Sequence, residues 1–161
     1  MAKISCFLSL LFTGLTLGPG MAHLLEMPHK ISLSIQGYKI VQAIYRGWAL
    51  LGVLQAGTII FTLDTGILRM QARYPVFYDP LYISVFSINF SHFFIFTYPI
   101  NVATNNWIVL PGNWMQLRQQ WEYSHASAAL LELLAFVLLI LVVLNKGLLL
   151  SKAGFQRNHV S

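Results

Sequence analysis

The stretch Asn113-Trp-Met-Gln-Leu-Arg-Gln-Gln-Trp-Glu-Tyr-Ser-His125 leads without a break into an apolar run over residues 126–144. Glu122 and His125 are three residues apart, and Glu132 follows seven residues later, so the three side chains are predicted to share one helical face. An ionised carboxylate that faced lipid would cost about 2.5 kcal/mol or more. This helix therefore needs polar partners on its neighbours in the membrane.

The overall composition is that of a membrane protein. Of the 161 residues, 57% are hydrophobic and only 9% are charged, with a mean hydropathy of +0.64, whereas soluble domains carry roughly a quarter charged residues. The net charge of +5 does not indicate nucleic-acid binding, because the basic residues lie at the ends of apolar runs, where they anchor helices at lipid headgroups. The single cysteine, Cys6, excludes an intrachain disulfide.

Four apolar segments predict four membrane-spanning helices, at about residues 4–26, 44–68, 81–101 and 122–145, followed by a polar tail over 146–161. Each is about 30 Å long as a helix, which matches a bilayer core. The sequence thus predicts an all-α, integral membrane four-helix up-down bundle in one transmembrane domain, 1–161. Gly20-Met-Ala22 also fits a signal-peptide cleavage site, but the continuation to His23 and Glu26 favours a spanning helix.

The distribution of basic residues predicts the orientation. Six lie on the side of the termini and four on the other side: Lys3, Arg69, Arg73, Lys146, Lys152 and Arg157 against Lys30, Lys39, Arg46 and Arg118. Cytoplasmic loops carry the excess of Lys and Arg. Both termini are therefore predicted to be cytoplasmic, in the inner (plasma) membrane of a bacterium.

Alternation of the spans brings distant polar residues to one end of the bundle, toward the outer leaflet. This outer cluster consists of His23, Glu26, Arg46, Asn101, Arg118, Glu122 and His125. A deep tier is predicted about 14 Å lower, near the bilayer midplane, because Gln55, His92 and Glu132 lie nine or ten residues further along their helices, with Asn89 one turn below His92. It consists of Gln55, Asn89, His92 and Glu132.

The residue types leave three interpretations of the outer cluster open. In the structural one, Arg46 and Arg118 neutralise the two glutamates and fix the order of the helices. In the second, a metal or haem is bound, because His23-x-x-Glu26 and Glu122-x-x-His125 resemble the motifs of di-iron bundles. The absence of a carboxylate from the second and third spans near this end disfavours that site.

The third interpretation is a metal-free acid/base pocket. A histidine or glutamate would accept a proton from a lipophilic, phenol- or quinone-like substrate, and Arg46 would stabilise the resulting anion. Buried ionisable groups in a membrane are functional candidates by default. Neither a substrate nor an oligomeric state can be read from these residues.

Several motifs resemble the anthrone oxygenase-like family of small four-span membrane proteins, most of whose bacterial members are a domain of unknown function. They are Ala22-His-Leu-Leu-Glu-Met-Pro28, Ile44-Tyr-Arg-Gly-Trp48, Pro99-x-Asn101 and Trp114-x-x-Leu-Arg-x-x-Trp-Glu-x-x-His125-Ala126. The fungal members are associated with oxidation of anthrones to anthraquinones. The resemblance therefore implies an oxidoreductase or oxygenase that acts on a lipophilic aromatic substrate.

The family pattern covers the outer cluster but not His92 or Glu132. Taken together with the chemistry, it predicts catalytic roles for His23, Glu26, Arg46, Glu122 and His125. Substrate contacts are predicted for Asn101, Arg118, His92 and Glu132. No metal site is predicted, and the cofactor stays open, with metal or haem not favoured. The alternatives remain a non-enzymatic structural or assembly subunit and a haem- or metal-binding bundle.

Overall fold

The computed structural model describes residues 2–71 and 78–157, and within these ranges the chain is helical with no β-strand. The described ranges contain six α-helices, which are α1 (Ala2–Lys30), α2 (Ile35–Ile44), α3 (Leu51–Gln71), α4 (Tyr78–His92), α5 (Tyr98–Ala103) and α6 (Trp114–Arg157). A 3₁₀ turn, Trp48–Leu50, precedes α3, and a π-helical segment, Phe93–Thr97, joins α4 to α5.

Three helical segments in the described ranges are long and apolar enough to cross a membrane: Ile4–Lys30, Pro80–Ala103 and Trp114–Leu144. A shorter apolar helix, Leu51–Ile67, accompanies them. The predicted all-α class and the membrane character are thus confirmed.

The helix boundaries differ from the predicted spans in three places. The first helix continues through Pro28 and ends at Lys30. The second predicted span begins at 44, but α2 ends there and α3 begins only at Leu51. Gly47 lies between them with φ of 90°, a left-handed conformation that glycine adopts without steric cost. The last helix extends to Arg157, so most of the polar tail is helical.

The π-helical segment has a local cause. Pro99 has no backbone N–H, and in a regular α-helix its ring would collide with the carbonyl of Ile95, four residues earlier. The wider Phe93–Thr97 turn is the usual way in which a helix accommodates such a defect. It allows the third apolar segment to continue to Ala103.

Helix α1 packs against α3 and α6, and α6 also packs against α4. One core cluster lies between α4 and α6 and consists of Tyr82, Val85, Ala135, Leu138 and Leu139. The other contains Tyr38, Ile100, Trp107 and Trp121. This second cluster brings α2, α5 and the start of α6 together, next to the outer cluster.

Hydroxyl groups connect α1, α3 and α4 at the end of the molecule opposite the outer cluster. Ser5 bonds to Thr65 at 3.0 Å, and Ser9 bonds to Tyr82 at 3.2 Å. The Tyr82 hydroxyl also bonds to Thr62 at 2.6 Å. Small polar side chains that hydrogen-bond across helices are a common means of association in lipid.

Gly57 is expected to be essential for the contact between α1 and α3. A Cβ atom at this position would lie 2.6 Å from the ring of Phe12, and that ring stacks on Phe61 with 5.4 Å between centroids. Gly57→Ala should therefore lower the free energy of unfolding by about 1–3 kcal/mol through overpacking. Thermal unfolding in detergent measures this change. Gly52→Ala in the same helix is the control, because its Cβ would meet nothing within 4 Å; equal effects of the two changes would contradict the prediction.

Candidate functional site

Lys30 is the charged centre of the outer cluster, although the sequence placed it in a loop. Its ammonium lies 3.1 Å from the carboxylate of Glu122 and 3.5 Å from that of Glu26. It also donates to the hydroxyl of Tyr45 at 3.0 Å and lies 3.2 Å from His23 Nδ1. The side chain of Lys30 is 4% exposed and that of Glu122 is 0% exposed. A cation and an anion are thus buried as a pair that joins α1 to α6.

Two tyrosines donate hydrogen bonds to the acidic residues. Tyr38 donates to Glu122 Oε1 at 3.0 Å, and the hydroxyl of Tyr45 donates to Glu26 Oε2. The pKa of Tyr38 is raised, mainly by burial and secondly by the nearby carboxylate of Glu122. The pKa of Tyr45 is raised in the same way, mainly by burial and secondly by the carboxylate of Glu26. Both phenols therefore stay protonated at neutral pH and act as donors.

The two histidines of the outer cluster stack on each other. The rings of His23 and His125 lie 4.4 Å apart between centroids, at an interplanar angle of 24°. Trp121 packs edge-on against His125 at 4.1 Å, and its indole N–H donates to Asn101 Oδ1 at 2.8 Å. His125 Nε2 is buried and has no hydrogen-bond partner among the described residues.

Neither arginine occupies the place that the sequence interpretation gave it. Arg118 is buried but donates to the backbone carbonyl of Leu33 at 2.6 Å, and its guanidinium lies 4.8 Å from the ring of Trp114. Arg46 is exposed on the turn after α2 and forms no ion pair with any residue in the described ranges. Lys30, which lies beyond the predicted end of the first span at residue 26, is the cation between the glutamates.

The deep tier is divided between two places. Glu132 is 7% exposed and accepts a hydrogen bond from Thr16 of α1. His92 instead pairs with Ser127 Oγ at 3.0 Å through Nε2, and it lies outside the lining of the cavity described next. The expected proximity of His92 to Glu132 is therefore not what the structure shows.

A cavity of about 1200 Å³ connects the outer cluster with the deep tier. This exceeds the usual 300–1,000 Å³ of ligand pockets. Its polar lining includes His23, His125, Arg46, Asn101, Gln55, Asn89 and Glu132, and its apolar lining includes Phe90, Phe93, Phe94, Leu51 and Ile59. A lipophilic molecule of several fused or linked rings could enter it.

The loop after α5 forms part of the cavity wall and is strained. Asn105, Asn106 and Trp107 have φ of 46°, 54° and 67°, a conformation that asparagine tolerates and tryptophan rarely adopts. Trp107 is held in it by burial, with its ring 5.0 Å from Tyr38 and 5.7 Å from Trp121. Strained residues concentrate at functional sites.

Within residues 2–71 and 78–157, no three or more His, Cys, Asp or Glu side chains are arranged to hold a metal ion. The His-x-x-Glu and Glu-x-x-His pairs do meet, but Lys30 lies between their carboxylates. A cation between the two glutamates occupies the position that a dication would need in a bundle of that type.

Lys30, Tyr38 and Tyr45 were missed as site residues. A signal for Lys30 was present, because His23, Glu26 and Lys30 are spaced i, i+3 and i+7 and share one face if the helix continues. The predicted first span ended at residue 26, and Pro28 disfavours a regular helix beyond that point, because proline lacks a backbone N–H and its ring collides with the preceding turn. Tyr38 and Tyr45 carried no such signal, since their role depends on how α2 folds back over the end of α1.

The fold and the site define a class: an all-helical membrane protein with a buried Lys–Glu pair and two stacked histidines on the wall of a large cavity. Comparison with protein-family models, with curated proteins and with solved structures finds no match.

Proposed function

We propose that this protein is a membrane oxidoreductase of the anthrone oxygenase-like type, which oxidises a lipophilic aromatic substrate in the cavity next to the outer cluster. The observation that supports this most is the buried Nε2 of His125, which has no hydrogen-bond partner among the described residues, in a side chain that lines a cavity large enough for a polycyclic molecule. Catalytic bases are expected where a histidine nitrogen is free to accept a proton within reach of a substrate.

The two histidines fit complementary roles. The ammonium of Lys30 faces His23 Nδ1, so this nitrogen accepts a hydrogen bond and the proton of neutral His23 resides on Nε2. In this proposal the proton of neutral His125 resides on Nδ1, which leaves Nε2 as the acceptor. It would take a proton from an acidic C–H or O–H group of the substrate, and His23 would donate a hydrogen bond to the developing oxyanion.

Dioxygen is the proposed oxidant. For an anthrone-type methylene flanked by two rings, proton loss to His125 leaves a delocalised carbanion. The electron pair of the carbanion forms a C–O bond to dioxygen, which gives a hydroperoxide once the outer oxygen takes the proton from His125. Removal of the second hydrogen as a proton then moves the electrons of that C–H bond into the C=O bond, so that the O–O bond breaks and hydroxide leaves. Hydroxide takes up the second proton, so one dioxygen becomes the ketone oxygen and one water. The carbon is oxidised and dioxygen is reduced, and the proton held by His125 leaves in the water.

Anthrone is the probe for this proposal. Protein purified into lipid nanodiscs is expected to consume one dioxygen for each anthraquinone formed, at a rate above that of nanodiscs holding heat-denatured protein. An oxygen electrode and absorbance of the quinone measure the two quantities independently. A rate equal to that of the denatured control would contradict the proposed activity.

The competing function is a structural or assembly subunit in which the polar residues only order the helices. It is supported by the Lys30–Glu122 pair between α1 and α6 and by the bond from Arg118 to Leu33 O. Buried ion pairs of this kind can specify which packing a bundle adopts. The His125 variant treated in the Discussion separates the two functions.

The topology that we propose is four spans running up and down, with both termini in the bacterial cytoplasm. The burial of Lys30 and Arg118 supports it, because among the described residues the outer side then retains Lys39 and Arg46 as its exposed basic groups. When Lys30 and Arg118 are not counted, the excess of basic residues on the side of the termini becomes larger, and this excess is what the positive-inside rule uses.

Cysteine labelling tests the orientation. In a Cys6→Ser background, a membrane-impermeant maleimide added to intact spheroplasts should label Lys39→Cys and leave Lys146→Cys unlabelled. Permeabilised cells should show labelling of both. Labelling of Lys146→Cys alone in intact cells would show the inverted orientation, and labelling of both would contradict the up-down arrangement.

A further inference from the structure

The deep end of the cavity carries polar groups that the proposed chemistry does not use. Glu132 lines it and is fixed by the hydroxyl of Thr16. Asn89 lines it as well, is 8% exposed, and its Oδ1 has no hydrogen-bond partner among the described residues. A buried amide oxygen without a partner is costly, so a ligand group that donates to it would be favoured.

The helix register places Asn89 and Glu132 at a similar depth. On α4, His92 pairs with Ser127 of α6, and Val85 packs in the same core cluster as Ala135. Asn89 lies midway between His92 and Val85, and the midpoint of Ser127 and Ala135 is close to Glu132. Two helices that run antiparallel therefore bring the two polar side chains to one level of the cavity.

The distance between the two polar ends follows from α6. His125 and Glu132 are seven residues apart on one helix, which is about 10 Å along its axis. Helix α1 has the same spacing, because His23 stacks on His125 and Thr16 bonds to Glu132. Between the two levels the lining includes the apolar side chains of Phe90, Phe93 and Ala128.

We infer that Asn89 and Glu132 form a second ligand subsite, so that the cavity selects elongated aromatic molecules with a polar group at each end, about 10 Å apart. The deep end prefers a hydroxyl, which can donate to Asn89 Oδ1 or to the carboxyl group of Glu132. This deepens the proposed function by naming the shape of its substrate. The subsite itself concerns binding and does not require turnover.

Two phenols of the same skeleton test this inference. The probes are para,para-biphenol, with a hydroxyl on each ring, and para-phenylphenol, with one. Isothermal titration calorimetry of the protein in nanodiscs, corrected for partition into empty nanodiscs, should give an affinity for biphenol at least about tenfold higher, as expected for one additional buried hydrogen bond to a polar or charged group.

Variants assign the preference to the deep subsite. The ratio of the biphenol affinity to the phenylphenol affinity should fall toward one in Asn89→Leu and in Glu132→Leu. The phenylphenol affinity itself should stay within about twofold of the wild-type value. Ser87→Leu is the matched control on α4, because Ser87 is exposed and lies outside the cavity lining, and it should preserve the ratio. Ala128→Leu, which places a larger side chain in the cavity, should weaken both phenols together.

The outcomes separate this inference from the proposed activity. Equal affinities in the wild-type protein, no binding of either phenol, or an unchanged ratio in both deep-end variants would overturn the subsite. If the ratio behaves as expected but anthrone is not oxidised, the subsite stands and the proposed activity fails. If Asn89→Leu or Glu132→Leu lost its fold, its thermal stability would be reduced. The ratio of the two phenol affinities in the other variant would then decide whether the deep subsite exists.

Discussion

Replacement of Lys30 by methionine is expected to lower the free energy of unfolding by about 3–5 kcal/mol, the cost of leaving a buried charge without its partner. Glu122 is 0% exposed in its side chain and lies 3.1 Å from the Lys30 ammonium. Methionine preserves most of the length and apolar surface of lysine but removes the charge. Thermal or denaturant unfolding in detergent micelles, followed by far-ultraviolet circular dichroism, measures the loss.

The double variant Lys30→Met with Glu122→Gln shows whether charge is the cause. Removal of both members of a buried pair is often close to neutral, so the second substitution should recover most of the lost stability. Lys39→Met, at an exposed lysine of α2, is the control and should change stability by less than about 0.5 kcal/mol. If Lys30→Met were as stable as Lys39→Met, the assignment of Lys30 as the buried charge partner of Glu122 would be wrong.

His125→Gln is expected to reduce turnover of anthrone by about 10²–10⁴-fold, the usual contribution of a general base. Glutamine keeps a polar side chain of similar volume against Trp121 and His23, so the fold should be retained. The measurement is the rate of dioxygen consumption in nanodiscs, together with the melting temperature of the same sample. The expected result is a large loss of rate with a small shift in stability.

His29→Gln is the matched control, because His29 is exposed at the end of α1 and should keep the wild-type rate. The structural interpretation makes the opposite prediction. If His125→Gln unfolds the protein at a much lower temperature, and the fraction that remains folded turns over at the wild-type rate, then His125 orders the helices and is not the base. The catalytic interpretation would then have to be abandoned.

Much of the site could be predicted because helix faces are local. The spacing of Glu122, His125 and Glu132 places them on one side of α6 whatever surrounds it, and alternation of the apolar segments brings His23 to the same end. The structure places His23 against His125 and both glutamates around one cation. The meeting of these histidines and glutamates at one end depends only on the helical repeat and on segment length.

The cation itself could not be predicted in the same way. Arg46 and Lys30 were both available near this end of the molecule, and the choice depends on two backbone features. Helix α1 continues through Pro28, and Gly47 turns the chain so that Arg46 lies at the surface. Neither the tolerance of a proline nor the direction of a turn follows from residue types alone.

The sequence by itself therefore determined that the protein is helical and suited to a membrane, and which faces of its first and last long helices are polar. It could do so because apolar length and the 3.6-residue repeat are properties of single segments. Only the tertiary structure decided that Lys30, Tyr38 and Tyr45 join those faces, and that one cavity connects Glu132 with the outer cluster. These features depend on the fold of α2 over the end of α1 and on the register of α1 and α4 against α6, which arise from contacts between residues far apart in the chain.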